Sequence, residues 1–421
     1  MRLATLIRTS PAVWAAPIAI GLPLLYYLGG PGQPPADNYG YAPTITSYPL
    51  MYTYPFAYAV ASALGVWVSG TLRQARVWEM NYTRSRYRIA AHSLLPVVGL
   101  AWLTLIIPPA LALMRAGVWP TWDSVSPLAV GMVVSVEHAV IGFAVGLHVP
   151  RIVAAPVIAI GTWVAVAFTI TVDEPWVRHV SGQHYEPLEF GEAPVFAGLW
   201  PHVAFTGSVA LAVALLWVPT RRLAVVYLTA VAVALGGTVG TYEAVKDYSY
   251  NPPLKNYAAA MTCKASGTVS VCMPSVTSRD LTAATVAVSG VLQDFRRAGL
   301  PRRPEQVIDT LPEGRFSSPS TASTWRVPLS LAAEHNDLRF AVALAATGMD
   351  CSKPDPFLRR VIIAWTAHLT GTDASWQKLR ASIDRQGEPG DVDGELKKVL
   401  SKKPAVQAAW FTQAVETACA R

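Results

Sequence analysis

Residues 126–148, SPLAVGMVVSVEHAVIGFAVGLH, form a long apolar run that contains a single acidic side chain, Glu137. A helix needs about 20 residues to cross the hydrocarbon core of a bilayer, so this run predicts a transmembrane helix. Six further stretches of similar character precede residue 241. The predicted spans are 11–29, 51–70, 90–112, 126–148, 152–171, 202–219 and 223–240. The expected fold is therefore an α-helical polytopic membrane protein with about seven transmembrane helices.

The composition of the 421-residue chain favours the same class of protein. Hydrophobic residues make up 52 % of the chain and charged residues 14 %, whereas roughly a quarter of an ordinary soluble domain is charged. The formal net charge is +7, but a basic total in a membrane protein usually reflects its topology. We therefore expect the lipid bilayer, and no nucleic acid, among the partners of this chain.

The arginines indicate which side of the membrane each loop faces. Ten of them lie at the N-terminus and in the loops on its side, five within 71–89, while the opposite loops contain only Arg115 and Arg178. Cytoplasmic loops carry an excess of positive side chains. This distribution predicts a plasma-membrane protein with a cytoplasmic N-terminus, and an odd number of spans then places the C-terminal part outside the cytoplasm.

The four cysteines all follow residue 262. Because thiols oxidise outside the cytoplasm, this placement predicts disulfides in an exported domain. In the stretch CKASGTVSVC, a two-residue turn at Gly267–Thr268 pairs Cys263 with Cys272 across a hairpin, at a site where the Cα atoms lie close together. Cys351 then pairs with Cys419, the preferred one of three possible connectivities. The short cysteine spacings of a zinc site are missing, and no cofactor is predicted.

Composition divides the chain into three parts: a transmembrane bundle at 1–240, a polar tether at 241–262 and an extracytoplasmic domain at 263–421. Helical periodicity in the last part predicts a small α+β, mainly helical, disulfide-bonded domain. The sequence contains no G-x-S-x-G, H-E-x-x-H or P-loop motif. We therefore do not expect an enzyme, and any ATP hydrolysis would belong to a partner chain.

Glu137 and His138 lie near the middle of the predicted fourth span. An acidic group at the centre of a bilayer costs about 2.5–3.5 kcal/mol unless it is paired or hydrated. Two interpretations stay open: these residues line a transport path, or they make structural hydrogen bonds to another span. Glycines spaced four apart indicate close helix packing; these are Gly142 with Gly146 and Gly236 with Gly240.

The loop 71–89 combines arginines with aromatic side chains. A solvated cytoplasmic loop accounts for the arginines, whereas a segment lying at the membrane surface or docking to a cytoplasmic partner also accounts for Trp78. The candidate contacts are Arg73, Arg76, Trp78, Arg84, Arg86 and Arg88.

The stretch GFAVGLHVPRIVAAPVIAIGTW, residues 142–163, joins two predicted spans through a very short Pro-Arg turn. Together with the loop 71–89, it resembles actinobacterial membrane subunits of ABC-2-type transporters over residues 1–222. The resemblance implies that 71–89 contacts a separate ATPase. Such subunits typically have six spans, and this chain departs from them in its predicted seventh span and its exported domain.

These observations lead to two expected functions. The first is a permease-like subunit of an ABC-type transporter in export or immunity, with a separate ATPase and with a second copy or a second permease subunit as a possible further partner. The alternative is a membrane-anchored binding or assembly protein whose extracytoplasmic domain recognises a partner without transport. Glu137 discriminates between them, since only the first function requires an ionisable group inside the bundle.

Overall fold

The computed structural model describes residues 8–80, 85–184, 187–219, 222–257, 259–315, 317–349, 351, 353–383 and 390–420. The chain divides into two compact units, Met1–Lys255 and Asn256–Arg421. Each unit contains its own clusters of buried hydrophobic residues.

The first unit is built from α-helices. Their bounds are α1 Pro11–Leu28, α2 Ala42–Gln74, α3 Arg86–Ala116, α4 Trp122–His148, α5 Arg151–Ala167, α6 Phe196–Leu215 and α7 Leu223–Val245. Within the described residues, six of them are long and apolar enough to cross a membrane, and α5 is a shorter apolar helix. At 1.5 Å per residue, α5 covers about 26 Å of a hydrocarbon core that is about 30 Å thick. The chain is therefore a mainly helical protein with several helices suited to a membrane.

Local signals explain where several of these helices begin and end. Ser10 accepts a hydrogen bond from the Ala12 amide at 3.2 Å and caps α1, as small polar residues do at N-caps. Thr121 and Ser124 form a reciprocal capping box at the start of α4. Gly117 ends α3 with φ of 66°, a conformation that glycine adopts without strain.

Helix α2 extends beyond the predicted span 51–70 at both ends. Its first turns contain hydroxyl residues, which lowered the hydropathy on which the prediction relied. Thr46 is buried, and its hydroxyl donates a hydrogen bond to the Ala42 carbonyl of the same helix at 3.0 Å. A polar side chain that is satisfied in this way can lie inside a helix bundle.

Helix α2 is the centre of the bundle and packs against α3, α4 and α5. Gly142 and Gly146 of α4 allow a close approach, because a Cβ atom at either position would clash with the α2 backbone at Ser62 or Val66. The close packing predicted for these two glycines is thus present.

The glycine prediction for α7 needs a correction. Gly236 and Gly240 face open space, whereas Gly237 meets Ser208 of α6 so closely that a Cβ atom would not fit. Consecutive helical residues point about 100° apart, so Gly237 faces α6 while Gly236 and Gly240 point away from the bundle of this chain.

The stretch predicted as a tether, 241–262, contains regular structure. Helix α7 continues to Val245, whose side chain is fully buried. Two short strands, β1 Glu192–Pro194 and β2 Leu254–Asn256, then form a two-stranded sheet. The segment after the last span is therefore attached to the loop before α6.

The second unit contains a four-stranded sheet of β3 Met261–Ser266, β4 Val269–Pro274, β5 Gln306–Asp309 and β6 Thr324–Val327. Their order is β3-β4-β5-β6, with β3 antiparallel to β4 and the other neighbours parallel. The helices of this unit are α8 Leu281–Arg297, α9 Leu329–Glu334, α10 Leu338–Ala346, α11 Pro356–Thr370, α12 Asp373–Ile383, α13 Val392–Leu400 and α14 Pro404–Cys419. Buried side chains from β4, β5 and β6 share one core with α8, α10, α11 and α14.

Two disulfides join the cysteines of this unit in the predicted pairs. Cys263 and Cys272 lie opposite each other in the β3–β4 hairpin with Cα atoms 4.1 Å apart, and Gly267 has the positive φ of 64° that the turn requires. Cys351, in the segment between α10 and α11, is linked to Cys419 at the end of α14 across 68 residues. The hairpin register is also the predicted one.

Candidate functional site in the helix bundle

Glu137 lies at the interface between α4 and α6. A Cβ atom at Gly207 of α6 would lie only 2.8 Å from Glu137 Oε1, so this glycine creates the space for the carboxyl group. Oε2 is shielded from solvent and has no hydrogen-bond partner among the residues that the structure describes. A buried carboxyl oxygen without a partner is costly and is typical of sites where a ligand, a proton or water is handled.

His138 points to the other side of α4. Its ring stacks on Tyr58 of α2 with centroids 4.9 Å apart and planes 17° apart. The two neighbouring residues therefore face different helices, Glu137 facing α6 and His138 facing α2. Both interpretations of the pair stay open: His138 has a packing partner, whereas Oε2 of Glu137 has none in the described part of the chain.

Tyr58 connects this region to the loop between α5 and α6. Its hydroxyl donates a hydrogen bond to the Gly182 carbonyl, and the Gly182 amide lies 3.2 Å from Nδ1 of His202 in α6. Gly182 has φ of 87°, and a Cβ atom there would lie 2.9 Å from Val134. Only glycine fits both the backbone conformation and the space at this position.

The same loop folds inward, which the sequence analysis did not anticipate. Gln183, His184 and Leu188 are buried. The Leu188 amide donates to the Ser47 hydroxyl at 2.9 Å, and Gln183 donates to the Val166 carbonyl at 2.8 Å. The loop therefore packs into the bundle beside the end of α5.

His179 of the loop contacts the segment that follows α7. Its Nε2 lies 2.8 Å from the Ser249 carbonyl, and its ring packs edge-on against Tyr248. Burial lowers the pKa of His179; the Ser249 hydrogen bond opposes this shift and the neighbouring Arg178 adds to it. The neutral imidazole is thus favoured. His179 and His184 of the loop and His202 of α6 formed no recognisable motif in the sequence, because they are spread over the loop and a helix.

The structure assigns internal contacts to two of the residues predicted to bind a cytoplasmic partner. Arg73 donates to the Leu147 and Val149 carbonyls at 3.1 and 3.2 Å and thereby caps the C-terminal end of α4. Trp78 packs edge-on against Trp217, with centroids 5.0 Å apart, and against Phe143. Packing against the bundle is therefore sufficient to explain these two side chains.

The remaining residues of that set behave differently. Arg76, Arg86 and Arg88 are exposed, and Arg84 lies outside the described residues. The exposed arginines flank the anchored Trp78, so the bundle holds a basic surface at this end. Within the described residues, no group of three or more histidine, cysteine or acidic side chains could hold a metal ion.

No family model, curated protein or solved structure matches this chain.

Proposed function

We propose that the chain is a permease-like subunit of an ABC-type transporter in the plasma membrane, acting in export or immunity with a separate ATPase. In this proposal Glu137 lies on the path of the substrate, and the loop between α5 and α6 closes that path. The second unit lies outside the cytoplasm, where its two disulfides are stable.

The observation that carries the proposal is the solvent-shielded Oε2 atom of the half-buried Glu137 side chain. A purely structural carboxyl would be expected to use both oxygens in hydrogen bonds, yet Oε2 has no partner in the described residues. Gly207 gives the group room at a helix interface. Ionisable groups inside a membrane bundle most often mark substrate, ion or proton pathways.

The proposed topology has seven spans: the six long helices and, in addition, the shorter helix α5. The 17 residues of α5 are followed by a short 3₁₀ turn, Thr169–Thr171, and local thinning of the bilayer accommodates a helix that is a few ångströms short. An odd number of spans agrees with the arginine distribution and with disulfides in the second unit.

The ATPase contact is proposed at Arg76, Arg86 and Arg88. These arginines are exposed, and a basic surface suits docking to an acidic surface of a partner. Arg73 and Trp78 support this surface from within the chain.

Affinity purification of the tagged full chain from native membranes in mild detergent tests the proposal. Quantitative mass spectrometry should find an ATPase in near-equal amount. Reversal of the three exposed charges to Glu should reduce its recovery about tenfold or more, because like charges would then face each other. A matched control reverses three exposed arginines of the second unit, Arg279, Arg296 and Arg297.

Glu137→Gln distinguishes a role of Glu137 in stimulating ATP hydrolysis from a role in binding the ATPase. The variant should retain the ATPase and lower its hydrolysis rate in nanodiscs, while Glu243→Gln, an exposed acid at the end of α7, should change neither. Recovery of no ATPase, or equal losses in the control and in the test reversal, would contradict the proposal.

The alternative, a membrane-anchored binding protein, is favoured by one observation in the second unit. A cavity of about 430 Å³ lies between the N-terminal ends of β5 and β6 and the end of α10, and its lining includes Arg303, Thr321 and Trp325. Ligand sites have volumes of about 300–1,000 Å³. Purification of an extracytoplasmic partner without an ATPase, lost in Arg303→Glu, would support this function.

A further inference from the structure

A groove of about 540 Å³ runs along the outer surface between α4 and α5. Its lining is apolar apart from His138 and Thr162, and it includes the side chains of Val145, Val153 and Val157. Helices α4 and α5 follow each other directly, yet they diverge enough to leave this space. Val153 and Val157 are 60 % and 65 % exposed, so the groove opens toward the surroundings of the bundle, which in a membrane are lipid.

The groove has the length of one bilayer leaflet. Val153, Val157, Gly161 and Ala165 form one stripe of α5 along it, and the helix rises about 18 Å over these residues. The hydrocarbon core is about 30 Å thick, so the groove covers slightly more than half of it. The groove begins at the turn between α4 and α5 and ends near His138, in the middle of α4.

Positive charge is concentrated at the end where the groove begins. Arg73 is hydrogen-bonded to the carbonyl of Val149, a residue that lines the groove. Arg151, the first residue of α5, lies over the Trp67 ring at 4.8 Å and donates a hydrogen bond from Nη1 to the Thr71 hydroxyl. Each guanidinium has five N–H donors, so the contacts within the chain leave donors for an anion.

We propose that this groove binds one acyl chain of an anionic phospholipid, drawn from the leaflet next to the α4–α5 turn, with Arg73 and Arg151 facing its phosphate. An apolar groove of one-leaflet length suits a single chain, and the two arginines at its mouth complement a negative headgroup. This inference goes beyond the proposed transport function and requires no ATPase, so either can fail without the other.

Photo-crosslinking of the full chain in nanodiscs tests the inference. The probe is phosphatidylglycerol with a diazirine in one acyl chain, and phosphatidylcholine with the same chain is the zwitterionic comparison. Mass spectrometry should locate the anionic probe on residues 153–165 in preference to the lipid-exposed face of α7, represented by Leu228 and Val231. The anionic probe should label the groove about fivefold more than the zwitterionic one. The attraction between one arginine and an anionic headgroup corresponds to about this factor.

Variants distinguish labelling within the groove from labelling of the rest of the lipid-exposed surface. Gly161→Phe fills the groove and should abolish the excess labelling, whereas Gly99→Phe, at an equally open glycine of α3, should leave it unchanged. Arg151→Gln should reduce the preference for the anionic headgroup, with Arg73 retaining part of it. Equal labelling of the groove and of α7 in the unmodified chain would overturn the inference, and that comparison needs no variant.

Discussion

Removal of each disulfide in turn should destabilise the second unit by different amounts. The paired changes are Cys351→Ser with Cys419→Ser, and Cys263→Ser with Cys272→Ser. In the chain-entropy account, a disulfide stabilises a fold by restricting its unfolded state, and the effect increases with the length of the closed loop. For the sequence separations of 68 and 9 residues, that relation yields about 4.4 and about 2.6 kcal/mol.

The difference of about 1.8 kcal/mol between the two pairs is more reliable than either value, because both variants lose the same kind of bond. Hydrogen–deuterium exchange of the full chain in nanodiscs measures it at the amides of β5, an inner strand of the sheet. If these amides exchange through opening of the whole unit, the variant without the long loop should exchange about twentyfold faster than the other variant.

Two outcomes would refute this reasoning. Equal exchange in the two variants would mean that loop length does not control the stabilisation, and faster exchange without the hairpin disulfide would mean that native contacts at the hairpin dominate. The corresponding single variants, Cys263→Ser and Cys351→Ser, check that a leftover thiol does not produce the effect.

Three further predictions concern packing and charge. Gly142→Leu should lower the thermal stability of the detergent-solubilised chain by about 1–3 kcal/mol through overpacking against α2, whereas Gly236→Leu should be neutral in the same scan. Trp78→Ala should speed proteolysis within 71–89, since it removes two aromatic contacts worth about 0.5–1.5 kcal/mol each; unchanged cleavage would contradict the anchoring role. Burial raises the pKa of Asp309 from 3.8, against the hydrogen bonds from the Ser330 hydroxyl and three backbone amides. Because this folded-state pKa is raised, the stability of the second unit should fall as pH rises from below 3.8 through the raised pKa, and Asp309→Asn should flatten that part of the denaturation profile.

Glu137 illustrates how far sequence reasoning reaches at the candidate site. Its position in an apolar run was sufficient to single it out, because an ionisable residue at the centre of a span is costly and therefore rare. Its surroundings depend on Gly207 of another helix and on the loop that brings Gly182 to Tyr58, a residue 124 positions earlier in the chain. Hydropathy averages over neighbours in sequence and therefore contains no signal for such contacts.

The sequence by itself determined those features that depend on local chemistry. Long apolar runs must form helices where the surroundings are lipid, because every backbone polar group then needs a partner within the chain. The spacing of Cys263 and Cys272 around a glycine turn determined their pairing in the hairpin, since antiparallel strands place such residues opposite each other.

Only the tertiary structure decided which side chains face inward. It directed Arg73 and Trp78 into the bundle and left Arg76 exposed, and it selected Gly237 over Gly236 for the contact with α6. These outcomes depend on the rotation of each helix about its axis, and a shift of one residue turns a side chain by about 100°. The rotation is set by the packing of all neighbouring helices together, so it becomes visible only once the bundle has assembled.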